Sequence, residues 1–145
     1  MTQLVQLFLL MLTVAQESGA EPYLGKLAVA FVVRNRVMKS GRSYSDVIMQ
    51  RKHFSAWNED SVTRMNIDDL KERQLAECMT AALAAMFLLD QDPTEGATFY
   101  LNKEEVIRIN GKLPGWWESD TDPASEKQIG KHSFRKAKMV DTQRI

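Results

Sequence analysis

Apolar positions crowd the first third of the chain. Between Leu4 and Ala15 only Gln6 and Thr13 interrupt an aliphatic run, and Leu4, Phe8, Met11, Leu12 and Ala15 recur at the three- and four-residue spacing of one helix face. Strong helix formers fill the run, and Gly19 supplies a stop just past its end. A second apolar stretch, PYLGKLAVAFVVRNRVMK at 22 to 39, opens with Pro22 at a favourable first helical position. LAVAFVV alone fits a strand, but its length and the polar RNR end favour a buried helix. Two apolar helices then meet at a tight corner, QESGAE.

Further along, the pattern loosens. Ser43 or Ser45 can cap a short helix through DVIMQ, and RKHFSAWNED reads as a loop. Asp68 or Asp69 is the expected cap of a long helix over about 69–90, with Leu75, Met79, Ala82, Leu83, Met86 and Phe87 on its apolar face. After Asp92-Pro93, ATFYLN and EEVIRI carry aromatic and β-branched residues and NGK at 110 to 112 signals a turn, so a short hairpin or small sheet is expected there. KLPGWWESDTDPASEK reads as a loop and QIGKHSFRK as a last short strand, with flexibility after about residue 138.

Composition narrows the class without deciding it. A chain of 145 residues with 44% hydrophobic and 26% charged residues suits one domain, 1–145, with a real core. Lys plus Arg and Asp plus Glu number 19 each, so no field of one sign points to nucleic acid or a membrane. The one cysteine, Cys78, cannot form an internal disulfide, and its apolar helical setting makes it a core residue rather than a reactive thiol. His53 and His132 lie far apart with no zinc-site spacing, and no phosphate-binding or dinucleotide-binding glycine pattern occurs, so no metal and no cofactor are expected. His132 is expected to hold the closing strand by hydrogen bonds. Lys131, Arg135, Lys136 and Lys138 are expected on a solvated face.

The first apolar run has a competing reading as a secretion leader or signal anchor. Its length suits a leader, but Met-Thr-Gln in front of it carries no basic side chain, and the run is too short to span a bilayer. The helix is therefore preferred, with no signal peptide and no stable membrane insertion expected.

That helix gives one residue unusual surroundings. Glu17 stands at its C-terminal end beside an apolar floor, where desolvation and the negative end of the helix dipole both favour the protonated carboxyl. A proton held there suits a general acid that protonates a glycosidic oxygen.

Taken together, QESGAEPYLGKLAVAFVVRNRV resembles the signature of SleB-type cell-wall hydrolases: a glutamate, a short Gly-containing turn, Glu-Pro, a Gly, and an Ala-Val-Ala stretch leading to Asn-Arg-Val. FSAW at 54 to 57, DPTEGATFY at 92 to 100 and IGKHSF at 129 to 134 keep the family order. Two departures stand out. The corner reads Glu-Ser-Gly-Ala-Glu-Pro rather than the family's Glu-Ala start, and Arg135 replaces a closing tyrosine. The Glu17-Ser18 pair is also similar to the Glu-Ser of lysozyme-like lytic transglycosylases, whose later Gly-Leu-Met-Gln and Ala-Tyr-Asn segments are missing.

The resemblance implies a predominantly helical α+β fold, with a lysozyme-like helical lobe and a small β-sheet lining a substrate groove. It implies that Glu17 is the catalytic glutamate of a peptidoglycan lytic transglycosylase, in which the sugar's own hydroxyl attacks and an anhydro-muramoyl end forms. A muramidase that delivers water is the alternative, and a non-catalytic peptidoglycan-binding protein is the second. A glycosidase with two working carboxylates needs a partner for Glu17. Glu21 adjoins Pro22 and suits a helix start better, while Asp60, Asp92, Glu95, Asp120 and Asp122 sit in loops with nothing to single one out. Sugar-binding candidates are Ser18, Glu21, Phe54, Ser55, Trp57, Tyr100, Asn102 and Trp116, although one tryptophan and Phe54 are equally suited to the core and Tyr100 to a buried network. A monomer acting on glycan strands is expected, most simply a phage endolysin that waits in the host cytoplasm before release to the periplasm or wall.

Overall fold

A computed structural model of the chain describes residues 2–50 and 70–139. His53, Phe54, Ser55, Trp57, Asp60, Asp68 and Asp69 lie outside the described residues, as does the tail beyond 139.

The two apolar runs are helices. Helix α1 spans Gln3–Ser18 and α2 spans Tyr23–Ser40, joined at the expected corner. In α2 every residue from Gly25 to Val33 is buried, which makes it the central helix of the core, enclosed on all sides. Around it pack α1, the short helix α3 (Tyr44–Met49) and α4 (Glu72–Met86). Ser43 caps α3 by accepting from the Asp46 amide at 3.1 Å, as its position suggested.

Two details of these helices differ from expectation. The core face of α1 is Leu7, Leu10, Val14 and Ala15, while Leu4 and Phe8 are exposed. A run with so few polar positions carries almost no phase information, so its inward face is set by what α2 and α4 offer. Helix α4 is shorter than expected and turns Ala81, Ala82, Ala84, Ala85 and Cys78 inward. Those small side chains let it lie close on both α1 and α2. Phe87 ends the helix half exposed, and Leu88 follows with φ of 54°.

The remaining third holds the sheet. Strands β1 (Phe99–Leu101), β2 (Lys127–Ile129) and β3 (His132–Arg135) form an antiparallel sheet in the order β1-β3-β2, with Tyr100 opposite Phe134 and Ile129 opposite His132. The expected last strand is therefore two strands folded back at Gly130, whose φ is 59°. EEVIRI is not a strand: it lies in helix α5, Lys103–Asn110. Asn102 caps that helix by accepting from the Glu105 amide at 3.1 Å, and Gly111 ends it with φ of 77°. Asn at the cap, Glu three residues on and Gly past the end are helix signals that outweigh the β-branched residues between them. Within the expected loop, Gly115–Ser119 forms a short helix, α6, and Pro123–Ser125 a single 3-10 turn.

Helix α6 sends its two tryptophans opposite ways. Trp117 is fully buried, and the Arg135 guanidinium lies 4.4 Å from its ring centre. Arg135 does not stand on a solvated face: its side chain is enclosed, bonded to Glu126 at 2.9 Å, and near the Trp117 carbonyl and Thr121 hydroxyl at 3.2 Å each. Desolvation of a guanidinium is tolerable here because an ion pair, two acceptors and an aromatic face all meet it. Lys131, Lys136 and Lys138 are exposed, as expected.

Replacing Trp117 by alanine is predicted to lower unfolding free energy by about 3–5 kcal/mol, against about 1 kcal/mol or less for Trp116→Ala. Denaturant melts of the two variants check this difference.

Candidate active site

The corner between α1 and α2 is held by packing as well as by hydrogen bonds. Gly19 keeps right-handed helical geometry, with φ of −58°, so it is not a left-handed stop. Its lack of a side chain matters for another reason: a Cβ there would come within 2.7 Å of Leu70 and 2.4 Å of the Ala15 carbonyl. The chain then turns with the Glu21 amide donating to the Ser18 carbonyl at 2.9 Å. Lys26, wholly buried on the first turns of α2, donates to the Glu21 carbonyl and lies 3.8 Å from Glu77.

Glu17 is partly buried on the last turn of α1. Its carboxylate shares a side-chain hydrogen bond with Tyr100 of β1, and the Arg36 guanidinium is close enough for the two charges to interact. Burial, reinforced by the Glu17 charge and its hydrogen bond and opposed by Arg36, pushes the Tyr100 hydroxyl well above its ordinary value. Tyr100 is therefore a proton donor toward Glu17 at neutral pH. Burial also lowers the Arg36 pKa, with Tyr100 and Glu17 pulling the other way.

The polar side chains of the Asn-Arg-Val run have tasks that their sequence neighbours do not reveal. Asn35 donates to Asp92 at 2.8 Å and to the Ala97 carbonyl at 2.9 Å, while Arg36 Nε donates to the Thr98 carbonyl at 2.6 Å. These bonds fasten the segment before β1 onto α2, which fixes where Tyr100 stands. Polar residues ending an apolar run were the available signal, since such side chains must find partners in a buried neighbourhood.

The candidate second carboxylates separate clearly. Asp92 accepts from Asn35, from the Thr94 amide and hydroxyl, and from the Gly96 amide, all within 2.8 Å, so it organises its loop. Glu95 pairs with Lys127 at 2.9 Å, and Asp122 caps the 3-10 turn through the Ala124 amide. Asp120 is exposed and lines an open groove of about 620 Å³ together with Arg36, Lys39, Phe99, Tyr100 and Trp116. Phe99 and Trp116 set their rings 5.8 Å apart along one wall. Glu17 is not itself a lining residue, but Tyr100 and Arg36, its two neighbours, both are.

Of the sugar-binding candidates, Tyr100 and Trp116 come together at this groove. Three others have structural jobs. Ser18 is buried and donates back to the Val14 carbonyl at 2.8 Å, so its hydroxyl does not face a ligand. The Asn102 oxygen is taken up in capping α5. Glu21 turns toward the β2–β3 hairpin, where it accepts from the Lys131 amide at 2.9 Å and lies 3.4 Å from His132 Nδ1. The expected strand-holding hydrogen bonds are not what places His132: its Nδ1 meets Glu21 at 3.4 Å without hydrogen-bond geometry, and its ring stands edge-on to Tyr100, with centres 5.3 Å apart. Cys78 is core, as expected, and burial pushes its thiol up to about 11. Among the described residues no group of three potential ligands could hold a metal, and no helix is long and apolar enough to cross a membrane.

A family model for cell wall hydrolases matches residues 20–135. The chain belongs to the cell wall hydrolase family. Glu21, Arg36, Tyr100 and His132 fall within the matched span, and Glu17 lies three residues before it. A spore cortex-lytic enzyme of Halalkalibacterium halodurans is 30% identical over 121 residues, which is 81% of this chain and 31% of that protein. The chain thus spans less than a third of that relative's length. Two solved catalytic domains are similar over nearly the whole fold. That of the germination-specific lytic transglycosylase SleB from Bacillus anthracis is 27% identical with a TM-score of 0.65, covering 94% of this chain and 97% of that one. The catalytic domain of Bacillus cereus SleB is 28% identical with a TM-score of 0.66, covering 94% and 93%. The expected architecture of this cell wall hydrolase, a mainly helical lobe with a small sheet, agrees with both.

His132 yields a pH prediction. Burial lowers its pKa below the ordinary 6.5, the Glu21 charge partly offsets this, and Lys131 adds to the lowering. The unfolded chain therefore takes up a proton first, so stability is full above about 6.5 and falls as pH drops toward the folded value. Denaturant melts between pH 7.5 and 5 are expected to show wild type losing more stability than His132→Gln; parallel losses contradict this.

Proposed function

We propose that the protein cleaves peptidoglycan glycan strands as a lytic transglycosylase, with Glu17 as the single catalytic carboxylate. The observation that carries this reading is the setting of Glu17: a rigid helix corner, a tyrosine hydrogen bond, a neighbouring guanidinium and an aromatic-walled groove at those same two partners. The similarity to SleB catalytic domains supports it.

The chemistry follows from one acid. Glu17 gives its proton to the glycosidic oxygen as the bond from the muramoyl C1 breaks, so the leaving sugar departs as a neutral alcohol. The carboxylate left behind accepts from Tyr100 and lies in the field of Arg36, so its charge is met as it forms. The C6 hydroxyl of the same muramoyl residue then attacks C1 and returns its proton to Glu17. One bond forms, one breaks, no water is consumed, and the new end is a 1,6-anhydro ring.

A second reading, a muramidase, has one observation in its favour: Asp120 is a groove-lining carboxylate that could activate water. We also read the chain as an endolysin of phage type, made in a host cytoplasm and acting on the wall after release. Membership of a cell wall hydrolase family is compatible with that role.

Glu17→Gln is expected to reduce release of muropeptides from purified sacculi by about a hundred- to ten-thousand-fold, with anhydro-muramoyl ends in the wild-type digest by mass spectrometry. A wild type that releases nothing from several wall types overturns the enzyme reading in favour of a binding protein. Asp120→Asn separates the other two readings: a change within about threefold fits the transglycosylase, and a loss as deep as that of Glu17→Gln fits the muramidase.

A further inference from the structure

Four residues join the helix corner to the sheet in sequence: Glu21, His132, Tyr100 and Glu17. The Glu21 side chain is only 11% exposed and that of His132 only 10%. Glu21 is boxed between two glycines. A Cβ at Gly25 would meet its Cβ at 3.0 Å, and a Cβ at Gly130 would meet its carboxylate oxygens at 3.0 and 3.1 Å. Gly130 also has φ of 59°, so the hairpin turn closes directly over the carboxylate. One oxygen accepts the Lys131 amide at 2.9 Å and faces His132 Nδ1 at 3.4 Å. On its other side the His132 ring stands at 74° to Tyr100, which is stacked on Phe134 at 5.7 Å. Tyr100 in turn bonds Glu17.

We propose that Glu21 and His132 are positioning residues that fix the Tyr100 ring, and through its hydroxyl the Glu17 carboxylate, in the geometry that proton transfer requires. Glu21 is not a second catalytic carboxylate. Its oxygens are enclosed under the hairpin, where one of them accepts the Lys131 amide. The two acids stand on one corner, four residues apart, and do different work: Glu17 meets the sugar, and Glu21 clamps the sheet whose tyrosine holds Glu17. A ring held at its edge by His132 and at its face by Phe134 has little freedom to swing its hydroxyl away.

This inference rests on the transglycosylase reading, and its test uses the active wild type as reference. Rates of muropeptide release are measured for wild type, Glu21→Gln, Tyr100→Phe and the double variant, each checked for folding by circular dichroism at the assay temperature. The expected result is a fall in kcat of about ten- to a hundred-fold for Glu21→Gln with KM changed less than about twofold. In the Tyr100→Phe background the same substitution should cost less than about threefold, because the hydroxyl it positions is already gone. Full additivity of the two effects overturns the proposal, as does a Glu21→Gln enzyme with wild-type kcat and only a lower melting temperature. A loss as deep as that of Glu17→Gln also overturns it, by making Glu21 a direct participant. Should Glu21→Gln not fold, His132→Gln in the same cycle with Tyr100→Phe carries the same expectations. Failure of the function itself shows differently, as an inactive wild type.

Discussion

The hydrogen bond between Tyr100 and Glu17 is where the helical lobe and the small sheet meet. A carboxylate on the last turn of a helix has rotamer freedom that general acid catalysis cannot use, and a partner on a separate element removes it. Much of the fold serves that meeting. The enclosed helix α2 gives both sides a common base, Leu70 packs where only glycine fits at position 19, and Asn35 and Arg36 fasten the approach to β1. On the far side β3 carries His132 and Phe134 against the Tyr100 ring.

Charge is distributed with the same economy. Of the carboxylates near this centre, Asp92 is consumed by four donors, Glu126 by Lys103 and Arg135, and Glu21 by the hairpin. These carboxylates are engaged by donors of the protein's own loops, strands and side chains. Glu17 differs in having a groove-lining tyrosine and arginine as neighbours. Under the proposed function, a single proton carrier in such a setting suits a reaction in which the sugar supplies its own nucleophile.

Helix α2 and the Glu17 corner were legible in the sequence because long apolar runs interrupted by Gly and Pro leave few alternatives. The inward face of α1 was not, since Leu4 and Leu7 are chemically alike and only neighbours distinguish them. Helix α5 was mistaken for a strand because Val106, Ile107 and Ile109 look like strand residues, yet none of its residues is buried and its caps decide the matter. Arg135 and Trp117 could not be paired from spacing, as they lie 18 residues apart and meet only when β3 folds beneath α6. The tasks of Arg36 and of the Glu21–His132 contact were hidden for the same reason: long-range partners leave no local pattern.

Isotope labelling tests the central claim, a cleavage carried by Glu17 without a water nucleophile, most directly. Sacculi would be digested in water enriched in oxygen-18 and the new glycan ends examined by mass spectrometry. The account predicts unlabelled anhydro-muramoyl ends, lighter by one water than the hydrolysis product. New reducing ends carrying the heavy oxygen, with no anhydro product, would contradict it and give Asp120 or another carboxylate the task of activating water.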